Sequence, residues 1–182
     1  HGADIVINSI TKFLAGHSDV TLGYVAARNP GLRTAIYDAA VTWGTTPSPF
    51  DCWLAERGLH TFDLRFEKAQ ATAAALADAL AGWDGIRQVI YPGRADHPHH
   101  NRAGTLFGGQ FGNMLSFEIE GGRDDVNSFV MNAGGIPFAP TLGDVGCTLS
   151  HPASSSHRAL TEEGRAALGI SEGYFRLSVG IE

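Results

Sequence analysis

Apolar residues fall in β-branched runs at the start of the chain, at spacings of three and four in its middle, and in alternation further on. "ADIVINSI" (3–10) and "VTLGYVAA" (20–27) are runs of the first kind. Each predicts a strand that is hydrophobic on both faces, which suits the covered sheet of an α/β protein. Asn29-Pro30 opens a helix over 31–41. "TTPSPFDCWLAERGL" (45–59) supplies another, with Ser48 or Thr46 as candidate cap and Pro49 in its first turn. The longest helical pattern covers 60–82, where Phe62, Phe66, Ala69, Ala73, Leu76 and Leu80 share one face. Beyond Gly82, "IRQVIYP" predicts a strand, residues 93–111 a loop rich in His and Gly, and "NMLSFEIEG" a half-buried strand. Residues 123–133 predict a helix, 134–146 a Gly- and Pro-rich loop, and "YFRLSVGIE" a final strand. Strands and helices alternating with an antiparallel flavour describe a small α+β domain, joined to the preceding part through the long helix.

Composition narrows the class of partner. With 43% hydrophobic and 18% charged residues over 182 positions, the chain is globular material with enough length for a sizeable core. A net charge of −6 with no Lys/Arg cluster argues against nucleic acid and against an anionic membrane surface, so a small molecule is the better default. No apolar run approaches the ~20 residues that span a bilayer. Cys52 and Cys147 form neither C-x-x-C nor a metal spacing; both read as small buried residues of a protein in a reducing, cytoplasmic compartment.

One residue is out of keeping with this background. Lys12 lies in "INSITKFLAGHSDVTLGYV" (7–25), yet the chain's only other lysine is Lys68; arginine supplies the remaining basic side chains. In a loop between two buried strands an amine is partly desolvated, which lowers its pKa toward that of a nucleophile or base. Ser9 and Thr11, three and one residues before it, can donate to a dianionic phosphate while the amine reaches a carbonyl carbon. Pyridoxal phosphate joins those two groups in one molecule. The plainer alternative is a lysine that caps a strand end and pairs with Asp19.

"HGADIVINSITKFLAGHSDVTLGYV" resembles the pyridoxal-phosphate site of the Cys/Met metabolism (transsulfuration) enzymes. The resemblance continues in the family's order through "SPFDCWLAERGLHT", "HPHH", "FGNMLSFEI", "TLGDVGCTLSHPASSSH" and "RLSVGIE". It implies an α/β, fold type I transferase: residues 1–60 as the end of the large mixed-sheet domain, 61–84 as a connecting helix, 85–182 as a small C-terminal α+β domain. It places the cofactor on Lys12, as catalytic residue, and its phosphate on Ser9 and Thr11. The implied activity is elimination or replacement at Cγ of a sulfur- or oxygen-substituted amino acid of the methionine, cystathionine or O-acylhomoserine type. A Cβ-lyase of the same family, or a catalytically incomplete C-terminal piece, are the alternatives.

The substrate carboxylate needs a partner, and an arginine fork supplies a bidentate one. Arg176 is the only charged residue in "YFRLSVGI"; a solvent-facing arginine on an edge strand is the plainer reading. The resemblance implies that Arg176 holds the carboxylate, assisted by Thr141-Leu142-Gly143, with threonine where the family has serine. Pro140 stands where many cystathionine enzymes carry glutamate. With "HPASSSH" and the closing stretch, it points toward the methionine γ-lyase and homoserine-ester sulfhydrylase branches.

Other signals carry less. His97, His99 and His100 lack partner carboxylates or thiolates for a metal, and "FGGQFG" has no following G-K-[ST] and reads as a turn. His17 and Asp19 are expected to organise the lysine loop, and His151 and His157 to be structural. The family's residues for the pyridine nitrogen and ring have no counterpart in this sequence. The resemblance therefore implies the C-terminal half of an enzyme, with the upstream half and neighbouring subunits of a homotetramer as partners.

Overall fold

A computed structural model describes residues 2–182, which form two compact units, one ending at Asp63 and the other Leu64–Glu182. No helix among the described residues is long and apolar enough to cross a membrane.

In the first unit β1 (Ile5–Ser9) and β2 (Gly23–Ala27) pair antiparallel, with Ser9 opposite Gly23. Both strands are where the apolar runs predict them. The covered sheet is not: every residue of β1 is exposed, Ile7 by 75%. A strand apolar on both faces needs a layer on each, and this unit's described residues do not bury it. Helix α1 (Pro30–Trp43) is longer than predicted because both ends are well closed. The Asn29 side chain accepts from the N–H groups of Gly31 (2.8 Å) and Leu32 (3.2 Å), and Gly44 at φ 70° ends the helix. Helix α2 (Pro49–Leu59) takes Ser48 as its cap, accepting from Asp51 N–H at 3.1 Å. Its inner face seats Leu54 with Ala15 and Val20 in a small core. Trp43 and Trp53 stand exposed on these helices, and Cys52 is exposed too, against the expectation of burial. Only Leu54, Ala55 and Gly58 of α2 turn inward, and position 52 falls outside that stripe.

The second unit is built on α3 (Phe62–Ala81), whose Ala69, Ala73, Ala77 and Leu80 are buried. After it come β3 (Ile86–Ile90), α4 (His100–Phe107), β4 (Met114–Ile119), α5 (Arg123–Asn132), β5 (Thr148–Ser150), α6 (Glu162–Ala166) and β6 (Tyr174–Ser178). The strands form one antiparallel sheet in the order β3-β4-β6-β5, so the last strand in sequence lies inside the sheet. Alternation separates its faces. Leu115, Phe117, Phe175, Leu177 and Leu149 point to a core shared with α3 and with Val126 of α5. There Phe175 stacks on Phe117 (5.5 Å between centroids) and meets Phe129 at 4.9 Å.

Three elements depart from the sequence reading. Helix α4 occupies part of the expected loop 93–111, where its histidines and glycines masked a short amphipathic turn. Strand β5, three residues long, is too short for alternation to show, and α6 spans only five. Trp83, just past α3, is exposed like the other two tryptophans.

Candidate active site

The lysine turn begins where β1 ends. Lys12 N–H donates to Ser9 O at 3.3 Å, Ala15 N–H to Ile10 O at 2.9 Å and Gly16 N–H to Lys12 O at 2.8 Å, winding residues 9–16 into a tight coil with Lys12 half-buried on it. Ser9, exposed at the strand end, and Thr11 flank the lysine on this coil. Thr11 also ties the turn to the start of β2. Its hydroxyl donates to Leu22 O at 3.1 Å and accepts from Leu22 N–H at 2.9 Å, while Thr11 N–H donates to the same carbonyl at 3.1 Å.

Two further contacts seat the coil on α2. Asp19 pairs with Arg57 at 2.9 Å, so its carboxylate braces the loop against the helix. Gly58, in α2, lies so near the coil that a Cβ there would meet Ala15 O at 2.5 Å and Ala15 Cα at 2.8 Å. Only glycine permits that approach. His17 Nδ1 lies 2.6 Å from Ala15 O; a carbonyl only accepts, so that nitrogen carries the proton, and His17 organises the loop as expected. Neither Arg57 nor Gly58 was singled out in the sequence. A glycine inside the last turn of the predicted helix was the one available signal.

In the second unit Arg176 occupies the middle of β6, directly opposite Ser116 on β4 and Ser150 on β5. It is therefore an interior-strand arginine on the sheet face away from the aromatic core, and the edge-strand reading is overturned. Small hydroxyl residues surround it: Ser116, Ser150, Thr148 and Ser178 share this face. Its Nη2 donates to Thr141 O at 3.2 Å, which brings the two expected substrate-binding residues together. No carboxylate pairs with Arg176 among the described residues. Its Nε is buried without a hydrogen-bond partner. A buried guanidinium N–H aimed at no acceptor is costly in itself, and a carboxylate is the acceptor that its fork geometry matches.

His151, His100 and Cys147 are held by local contacts. His151 is buried, with Nδ1 2.9 Å from Ser154 Oγ and Nε2 donating to Glu172 O at 2.7 Å, as a structural histidine should be. His100 lies against Phe111, its Nδ1 2.9 Å from Pro92 O, and no three metal-ligating side chains converge among the described residues. Cys147 is half-buried, and burial pushes its thiol pKa up, partly offset by the Gly180 N–H at 3.2 Å.

Comparison with known proteins matches the chain to one family. The model of the family described as "Cys/Met metabolism PLP-dependent enzyme" matches residues 1–182. A cystathionine beta-lyase of Bacillus subtilis is 42% identical over 181 residues, covering 100% of this chain and 46% of that protein. An O-succinylhomoserine sulfhydrylase of Pseudomonas aeruginosa is 38% identical, with 100% of this chain and 44% of that one covered. Among solved structures, a cystathionine gamma synthase from Xanthomonas oryzae pv. oryzae, in complex with aminoacrylate and cysteine, superimposes with a TM-score of 0.89 at 46% identity, over 100% of this chain and 46% of that one. The chain spans about half the length of the curated relatives it matches.

Proposed function

The chain belongs to the Cys/Met metabolism PLP-dependent enzyme family, with its α/β, fold type I architecture, and from that premise we propose that the protein containing it eliminates or replaces a sulfur- or oxygen-linked group at Cγ of an amino acid. The observation that carries the reading is the placement of one amine and two hydroxyls, those of Lys12, Ser9 and Thr11, within a single tight coil.

The residues present fit pyridoxal phosphate. Lys12 is half-buried and Ser9 exposed at the strand end. Thr11 gives its one hydroxyl proton to Leu22 O, but that carbonyl keeps the Thr11 N–H at 3.1 Å if the proton turns to a phosphate oxygen. The redirection strands no partner. Bound pyridoxal phosphate supplies an aldehyde for the substrate amine and a ring that draws the electron pair left at Cα.

The protein's own groups do the rest. Lys12 Nζ holds the cofactor between turnovers, takes the proton from substrate Cα once the substrate amine replaces it, and delivers and removes protons at Cβ. Ser9 and Thr11 would anchor the phosphate and so hold the bound substrate in one orientation. Arg176, held by Thr141 O, would grip the carboxylate and so orient the substrate's Cα. Proton loss at Cβ then expels the group on Cγ, and a thiol or water completes replacement or elimination. The rest of a longer polypeptide and neighbouring copies, in a homotetramer, complete the site. Two free cysteines support a cytoplasmic setting.

Borohydride reduction of the cofactor-loaded protein, followed by peptide mapping, tests the anchor, with Lys12 and Lys68 as the carriers this chain offers. A phosphopyridoxyl group on Lys12 is expected; one on Lys68, or none, sinks the reading. A second reading, cleavage at Cβ, is favoured by the 42% identity to a cystathionine beta-lyase. Cystathionine separates the two: cysteine and 2-oxobutyrate come from the Cγ route, homocysteine and pyruvate from the Cβ route.

A further inference from the structure

We propose that Ser178 is a positioning residue for the substrate carboxylate: its buried hydroxyl holds the 141–143 strap, and the strap's Thr141 carbonyl in turn fixes the Arg176 guanidinium. Ser178 acts in this way only if Arg176 holds the carboxylate, as proposed above.

Ser178 lies two residues beyond Arg176 on β6 and so on the same sheet face, but at 1% exposure it is too enclosed to touch a substrate. Its Oγ accepts the Gly143 N–H at 3.1 Å. Gly143 is buried, and its φ of 89° suits glycine alone, so this N–H sits on a fixed turn and must find an acceptor inside the protein. At the other end of the strap, Thr141 O receives Arg176 Nη2 at 3.2 Å. The Thr148 hydroxyl, from the residue opposite Ser178 on β5, approaches the same carbonyl at 3.4 Å. The strap is thus pinned at Gly143 by one strand hydroxyl and steadied at Thr141 by another. The contact with the functional arginine is made at Thr141, on the same carbonyl that Thr148 steadies. Removing the Ser178 hydroxyl leaves the Gly143 N–H without its acceptor and lets the strap, and with it the guanidinium, shift.

The test uses the full-length, cofactor-loaded enzyme with two ligands: the amino-acid substrate and its decarboxylated amine, which lacks the group Arg176 would hold. Ser178→Ala should raise KM for the amino acid about tenfold with kcat changed far less, and leave affinity for the amine unchanged. Thr148→Val should act in the same direction more weakly, with Thr148→Ser restoring the parent value. Should Ser178→Ala not fold, the Thr148 pair decides: a KM rise in the valine variant that serine reverses supports the proposal, and equal behaviour overturns it. Equal weakening of acid and amine by Ser178→Ala would mean a merely structural role and overturns it as well. Arg176→Gln separates the premise from the inference. If that variant still prefers acid to amine as the parent does, the carboxylate reading itself fails. If it loses the preference while Ser178→Ala keeps it at parent KM, only the role of Ser178 falls.

Discussion

The lysine-bearing unit and the sheet-bearing unit solve the same problem differently. The second places six apolar side chains of three strands against two helices of its own, and Phe175 and Val179 are wholly buried. The first carries an equally apolar pair of strands, yet Ile5, Val6, Ile7, Tyr24 and Val25 stay exposed, and its core reduces to Ala15, Val20 and Leu54 with a few half-buried neighbours. What holds the lysine coil is instead a set of polar ties and one close backbone approach: Thr11 to Leu22, Asp19 to Arg57, Gly58 against Ala15. One unit gains its order from buried area, the other from specific contacts. Mutations should therefore damage them in different currencies.

The largest effect should separate activity from stability. Lys12→Ala in the full-length enzyme should lower turnover by about a thousandfold or more while the urea midpoint stays put; retained turnover would remove Lys12 from the chemistry. Phe175→Ala should cost about 3–5 kcal/mol, whereas Ile7→Thr in the isolated chain should fall within about 0.5 kcal/mol. Equal costs in urea titrations would break the contrast between the two sheets. Gly58→Ala should cost about 1–3 kcal/mol and speed amide exchange over residues 10–16 more than in β4 or β6. Uniform exchange would show that the close approach does not govern the coil.

The smallest effect concerns the two thiols. Iodoacetamide should label exposed Cys52 about tenfold faster than Cys147, read by peptide mass. Burial raises the Cys147 pKa, so the folded chain keeps its proton where an unfolded thiol would lose it. That stability is fully present below the ordinary thiol pKa and drains away as pH climbs from there to the raised value. Comparable labelling of both cysteines at pH 8 would contradict the burial of Cys147.

The candidate residues were more legible in the sequence than the contacts that hold them. Lys12 stood out by residue type, and Arg176 by breaking an apolar alternation. The ties that position them join residues 11 and 38 apart, Thr11 with Leu22 and Arg57 with Asp19, and such pairs exist only once the chain has folded. Patterning found the long helix and the five longer strands but passed over β5, whose three residues gain their identity from lying beside β6. Thr141 was expected as a polar assistant. Its carbonyl, which every residue type has, is what meets the arginine. The reading of Cys52 failed because free cysteines are buried on average, while position 52 sits outside the narrow inner stripe of α2. The expectation of a covered sheet described what the strands are suited to, and the first unit's described residues leave it unmet.

Trp43, Trp53 and Trp83 are all exposed, and Trp53 carries Phe50 on one side and the Arg57 guanidinium 5.4 Å from its ring. Intrinsic fluorescence of this chain is consequently a lamp on its outside: it brightens, dims or shifts colour with what touches the surface, while Trp83, which lines a cavity with Phe117 and Phe129, is the tryptophan nearest the sheet's core. Unfolding of the four-stranded sheet can be followed by circular dichroism or by the buried Tyr91. Acrylamide quenching, tryptophan by tryptophan, then becomes a direct optical map of which faces a second chain covers.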